Sequence, residues 1–264
     1  MRSFIGNFVL LMGALFVFAC SPPQIHKFHT NTPASPADAQ ALFFDASSKG
    51  DIILVMRLVE EKIVPVNSRD RFGWTGWMYA ARYGHDGLIE YFLTKKININ
   101  CKDEKGQTAL MIAASAGNTQ VVKFLLENGA DATIQDSYGY TALKWAIYDH
   151  RWECLAALAA VKKTVNLQNS EGETALHLAV NLRYYDAVSL LLAKGANPNI
   201  KDKKGDTPLI IAALRGDKAI AQLLVSRKAN VFVKNNKGKT ALAVARENNY
   251  TEIVNYLIRI MKKR

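Results

Sequence analysis

A chain of 264 residues that is 49% hydrophobic and 22% charged holds enough apolar side chains to fold over most of its length, which excludes a wholly disordered protein. Its 34 Lys and Arg against 23 Asp and Glu leave a formal charge of +11, which favours acidic partners and anionic surfaces without defining a fold. Three cysteines (Cys20, Cys101 and Cys154), with no C-x-x-C pair and no Cys/His cluster, exclude a disulfide-built scaffold and a structural zinc site.

The first predicted element is a targeting segment at residues 1–19. Arg2 is its sole charge, and residues 8–18 are almost wholly apolar. That stretch is too short to span a bilayer, which needs roughly 20 apolar residues. A positive start followed by a short apolar core reads as a secretory signal; a buried N-terminal helix is the alternative. Val17-Phe18-Ala19-Cys20 resembles the lipobox of bacterial lipoproteins, although Phe18 departs from the small residue usual at that place. The resemblance implies a thioether-linked diacylglycerol and an acylated amino group on Cys20. Each chain would add about 0.8 kcal/mol of membrane affinity per buried methylene. Ser21, where many retained lipoproteins carry Asp, leans toward outer-membrane sorting. Ordinary cleavage and a soluble periplasmic protein is the rival reading. Residues 20–38 follow as the lipidated cysteine and a Pro/Ser-rich tether, in which His26 and His29 are expected to be solvated.

Beyond the tether the chain repeats. Glycine recurs at 73, 106, 139, 172, 205 and 238, a constant step of 33. At an average Gly usage of about 7%, five successive hits have odds on the order of one in a million. Thr keeps the same phase at 75, 108, 141, 174, 207 and 240, and Ala at 80, 113, 146, 179, 212 and 245. Asp or Asn stands at 70, 103, 136, 169, 202 and 235. A fixed period of this size means stacked supersecondary units. In each unit Asp/Asn-x-x-Gly makes a tight turn. Thr caps a first helix, Ala lets two helices approach, and a second apolar helix follows. Gly129-Ala130 and Gly195-Ala196 end that second helix.

Glu171-Gly172-Glu173-Thr174-Ala175-Leu176-His177-Leu178-Ala179 and Lys204-Gly205-Asp206-Thr207-Pro208-Leu209 resemble the ankyrin repeat. The resemblance implies an all-α solenoid of about seven stacked helix-turn-helix units with β-turn fingers. The repeats would occupy 70–102, 103–135, 136–168, 169–201, 202–234 and 235–264, behind a degenerate cap at 39–69. Ala46-Ser47-Ser48-Lys49-Gly50-Asp51 keeps the register in that cap but lacks the preceding turn, as terminal repeats do. The glycine after the first helix, present at 84, 117 and 216, is replaced by His150, Arg183 and Asn249. His and Arg tolerate a left-handed backbone poorly, so residues 136–200 are expected to be locally weaker. Cys101 and Cys154 fall at apolar positions and read as core hydrophobes, with a disulfide between them as the lesser alternative. His85 and His177 read as structural; the resemblance gives His177 a backbone bond between repeats.

No nucleophile with a positioned base, no phosphate loop and no spaced carboxylate pair is visible, so neither catalysis nor a cofactor or metal is expected. The resemblance places binding on a concave face built from turn tips and first-helix ends. There Phe72, Trp74, Tyr83, Tyr138, Tyr140 and Tyr148 give the N-terminal half an aromatic surface, unless each ring packs on a neighbouring turn. Changing Phe72, Trp74 and Tyr140 together to Ala is expected to abolish capture without unfolding. Residues 194–264 carry 16 Lys and Arg against 5 Asp and Glu, which leaves 18 of each in the rest. Lys203, Lys204, Arg215, Lys237 and Lys239 head this basic end, suited to an acidic protein, anionic lipid or an anionic envelope polymer; a solvated cationic cap is the plain alternative. Nucleic acid does not suit an exported chain. The expected protein is therefore a monomeric, lipid-anchored, non-catalytic module of a bacterial envelope that binds an unknown protein partner. A regulatory or scaffolding subunit of an envelope enzyme, or a secreted effector acting on host proteins, are the alternatives.

Overall fold

Why each unit folds is clearest at its turn. Asp70, Asp103, Asp136, Asn169, Asp202 and Asn235 each accept, through Oδ1, the backbone N–H groups two and four residues on. Glycine sits between those donors at φ between 70 and 78°. At Gly73 a Cβ would also lie 2.9 Å from the backbone nitrogen of Glu104 in the next turn, so the stacking of turns demands glycine independently of φ. Consecutive turns are joined backbone to backbone, Glu104 N–H to Phe72 O and Ser137 N–H to Lys105 O, then Lys203 to Glu171 and Asn236 to Lys204. Among the described residues the turn at Tyr138 has no such bond to its successor.

The computed structural model describes residues 35–262. The targeting segment, Cys20 and most of the expected tether lie outside the described residues. One row of helices contains α1 (Pro36–Lys49), α3 (Gly76–Tyr83), α5 (Ala109–Ala116), α7 (Ala142–Tyr148), α10 (Ala175–Asn181), α12 (Pro208–Arg215) and α14 (Ala241–Glu247). The other contains α2 (Ile52–Glu60), α4 (Asp86–Thr94), α6 (Thr119–Glu127), α8 (Trp152–Ala159), α11 (Tyr185–Ala193), α13 (Lys218–Ser226) and α15 (Thr251–Lys262). Each first helix packs on its partner and on its counterpart in the next unit, and from α4 onward so do the second helices, the stacking of a solenoid. The one-turn helix α9 (Lys162–Val165) stands where the flanking units turn at Gly129 and Gly195, closed by the Thr164 hydroxyl donating to Leu158 O and Val161 O. Helix α1 begins inside the segment expected to be tether, because Ser35 caps it and Pro36 opens it.

The repeated alanines are why the two rows close up. Ala80, Ala113, Ala146, Ala179, Ala212 and Ala245 are fully buried, and larger side chains there would push the helices apart. Thr108, Thr141, Thr174, Thr207 and Thr240 cap their helices as expected. Thr75 does not, and its hydroxyl, the Ser47 hydroxyl and Trp77 Nε1 are buried without partners at the junction with the cap. There α3 starts with Gly76, because a Cβ would come 2.6 Å from the buried Phe43 ring. A ladder that the sequence reading missed runs along the turns. Arg69, Lys102, Gln135, Gln168 and Lys201 each donate to the carbonyl of their counterpart 33 residues on.

Non-glycine positive φ is not limited to residues 136–200, the stretch expected to be locally weaker. His150 and Arg183 do take positive φ, but so do Lys62, Lys96, Lys228 and Asn249. Strain is therefore spread along the stack, and the 103–135 unit, with Gly117 and Gly129 at both bends, is free of it. His150 is compensated locally by its bond to the Tyr184 hydroxyl and by Trp152. The exposed Lys96 and Lys228 make no side-chain bond. Lys96→Gly and Lys228→Gly are each expected to stabilise the protein by about 0.5–1 kcal/mol, since the left-handed cost outweighs the added chain entropy of glycine. Thermal melts read the gain; a fall in melting temperature for both would sink the strain argument.

Candidate protein-binding surface

The turn of the 70–102 unit and the end of α3 build a cleft of about 380 Å³ with the next turn. Phe72, Trp74, Tyr79 and Tyr83 supply aromatic walls, and Arg82, Asp103, Glu104, Lys105 and Gln107 complete it. Phe72 is 53% and Tyr83 55% exposed, whereas Trp74 is half-buried. Trp74 meets Tyr79 edge-on at 5.1 Å, and its Nε1 donates to Asp103 Oδ2 at 2.9 Å. Tyr79 donates its hydroxyl to Asp70 Oδ2 at 2.8 Å. Burial, reinforced by that bond to a carboxylate, pushes the Tyr79 phenol up to about 12. The cleft is thus a set of rings braced from beneath by two turn aspartates, rigid before any partner arrives.

Two repeats on, Tyr138, Tyr140 and Trp145 stand at the positions of Phe72, Trp74 and Tyr79, and with Tyr148 at the position of Arg82 they make a second aromatic cluster. Tyr140 meets Trp145 edge-on at 5.4 Å, and Trp145 Nε1 donates to Asp136 Oδ2 at 2.8 Å. Tyr148 closes against both rings while staying half exposed, and Tyr138 is 62% exposed at the turn tip. The alternatives of packing and display therefore resolve ring by ring. Trp74 and Tyr140 are packed supports, and Phe72, Tyr83, Tyr138 and Tyr148 remain at least half exposed to solvent. Tyr79 and Trp145, absent from the expected set, complete the clusters. Their only sequence signal is an aromatic residue on the first helix, nine positions after the turn Asp.

The basic end is less free than its charge count implies. Lys203 pairs with Glu171, Lys239 with Glu247, and Arg215 bonds Asn181 Oδ1. The side chains of Lys204 and Lys237 are unpaired and exposed. Such exposed pairs contribute little stability, but they spend charge that a partner would otherwise meet.

Other candidates are structural. His177 Nδ1 lies 2.8 Å from the Thr174 hydroxyl and Nε2 lies 3.3 Å from Asp206 O, so the ring ties one repeat to the next. Lys144 occupies the same place one repeat earlier and donates to Glu173 O at 2.7 Å. His85 bonds Ser48 O. Cys101 and Cys154 are free thiols; Cys154 is buried 3.3 Å from the Thr119 hydroxyl, and burial pushes its pKa up, which disfavours the thiolate. Among the described residues no group of three His, Cys, Asp or Glu could hold a metal, and no helix is long and apolar enough to cross a membrane.

A family model described as "Ankyrin repeats" matches residues 42–136, 128–202 and 194–263. Among solved structures, the ankyrin repeat domain of Bcl-3, an IkappaB family member, superposes at TM-score 0.74 with 24% identity, over 81% of this chain and 97% of its own. The human ASB11 ankyrin repeat domain gives 0.68 at 25% identity, over 82% and 96%. A chain from the complex of the predatory endopeptidase Bd0816 of Bdellovibrio bacteriovorus with immunity protein Bd3460 gives 0.63 at 30% identity, over 71% and 98%. No protein of curated function matches the sequence.

Proposed function

Because this chain belongs to the ankyrin-repeat family, whose units are protein-interaction modules, we propose that it is a non-catalytic binding module that captures one protein partner on its aromatic concave surface. The observation that carries this is the braced aromatic cleft at Phe72, Trp74, Tyr79 and Tyr83. Exposed rings on rigid supports are the residues that dominate interface energetics. The apolar leader and the lipobox-like Val17-Phe18-Ala19-Cys20 support tethering to a bacterial envelope through Cys20. Mass spectrometry of the mature N-terminus tests that point: an unmodified peptide spanning Ala19 and Cys20 rules lipidation out.

A second reading specifies the partner as an envelope enzyme that the module holds or blocks. The 30%-identical chain from an endopeptidase–immunity protein complex favours it. Recovered peptidase activity that falls on adding the purified module would support it.

The binding test uses the exposed rings. Phe72, Tyr83 and Tyr148 changed together to Ala are expected to lower crosslinked capture from intact envelopes at least ten-fold, with unchanged circular dichroism. Trp74 and Tyr140 are unsuitable for this purpose, contrary to the expectation from sequence, because both support the turns. Capture that survives the triple change would remove the aromatic surface from the reading.

A further inference from the structure

The pairs Phe72/Tyr138, Trp74/Tyr140 and Tyr79/Trp145 share a register, so the two clusters lie on one face, separated by the 103–135 unit, which carries no ring at the corresponding positions. Helix rows that step by roughly 8–10 Å per unit place them about 16–20 Å apart. The charge around the first cluster is uneven. Arg82 and Lys105 line the cleft and have neither ion pair nor side-chain hydrogen bond. Arg71 lies over the Phe72 ring at 4.7 Å. Against these cations the one carboxylate left without donors is Glu104, since the Asp103 oxygens accept from Lys105 N–H, Gln107 N–H and Trp74 Nε1. The cation Lys105 belongs to the middle unit, between the two clusters.

The geometry points to an extended, acidic protein segment as the occupant, with apolar side chains at positions i and i+6 and carboxylates between them. This deepens the protein-binding reading and rests on it. In an extended strand, side chains six apart share a face and lie about 20 Å apart, which matches the spacing of the clusters. Carboxylates at i+2 and i+4 share that face and meet Arg82 at the edge of the cleft and Lys105 in the middle unit. One apolar side chain enters the Phe72–Tyr83 cleft, and the second rests on Tyr138 and Tyr148. A helical segment would need about twelve residues to span the same gap and would offer fewer carboxylates to it.

The probes are fluorescein-labelled synthetic peptides in a Gly/Ser background, read by anisotropy with the full folded chain. The first has Phe at i and i+6 with Glu at i+2 and i+4. The second replaces both Glu with Lys, and the third moves the second Phe to i+5. The acidic i/i+6 peptide is expected to bind at least ten-fold more tightly than either control. The double variant Arg82→Glu/Lys105→Glu is expected to reverse the preference between the Glu and Lys peptides. Both residues are exposed and unpaired, so folding should be unaffected, which circular dichroism checks. Equal binding of the Glu and Lys peptides, or no binding of any, overturns the proposal. Retention on protease-treated peptidoglycan sacculi that survives the charge reversal also overturns it, by assigning the face to a glycan. Capture from envelopes separates the two readings. If the charge-reversed variant takes the same partner as well as the wild type, the acidic-segment proposal falls and the binding module stands. If neither takes a partner, both fall.

Discussion

Asp103→Ala is expected to destabilise the protein by roughly 3 kcal/mol, among the largest losses for any single turn residue. The side chain is 7% exposed and accepts three hydrogen bonds, from the Lys105 and Gln107 backbones and from Trp74 Nε1. Alanine leaves all three donors unpaired and also releases the Trp74 ring that forms one wall of the cleft. Asp103→Asn separates the two effects. Its carbonyl can keep both backbone bonds, as Asn169 and Asn235 do, but its amide then faces the indole N–H, donor against donor. A loss of about 1 kcal/mol is expected for Asn. Denaturant melts of both variants check the order; an Asn variant as unstable as the Ala variant would show that the backbone bonds are not what the carboxylate supplies.

Lys144→Met is expected to stabilise the protein near neutral pH by about 1–3 kcal/mol. Lys144 is 2% exposed, and its ammonium has Glu173 O as hydrogen-bond partner and the Tyr140 ring at 5.8 Å. Burial lowers its pKa to about 8 from an ordinary 10.5, despite the opposing charges of Glu173 and Asp136. Below about pH 8 the folded chain must hold the buried charge, at a cost of about 3 kcal/mol at most. Between about 8 and 10.5 the unfolded chain keeps a proton that the folded chain has lost, so stability attributable to this residue rises with pH. The advantage of the Met variant should therefore be full below pH 8 and shrink toward pH 10.5. Met78, Met111 and Ile210 fill the same place in other repeats, which shows that the site accepts an apolar chain. A difference between variant and wild type that does not vary with pH would dismiss the buried charge as its source.

The choice between Asp and Asn at the turns shows where reading the chain by itself stops. The period marks both residues as equivalent turn formers, and for the two backbone bonds they are. The remaining atom is decided by a neighbour. Asp70, Asp103 and Asp136 stand where that neighbour is a donor, Tyr79, Trp74 and Trp145 in turn. Asn stands where it is an acceptor, Glu173 Oε2 for Asn169 and Asp206 Oδ1 for Asn235. Trp74 and Asp103 lie 29 residues apart, so no local pattern connects them.

The same division holds for the binding surface with which the composition began. The amino-acid sequence by itself determined the 33-residue unit, the capped first helix, the small residue between helix rows and the aromatic and basic bias of the two halves. Those features are local or periodic: a turn needs glycine and a helix start needs Thr within a few residues, and repetition multiplies the signal. Tertiary structure alone decided which rings support and which display, which cations are spent on Glu171, Glu247 and Asn181, and which remain open beside the cleft. Those outcomes depend on contacts between repeats, where a side chain's partner is set by stacking rather than by its neighbours in the chain.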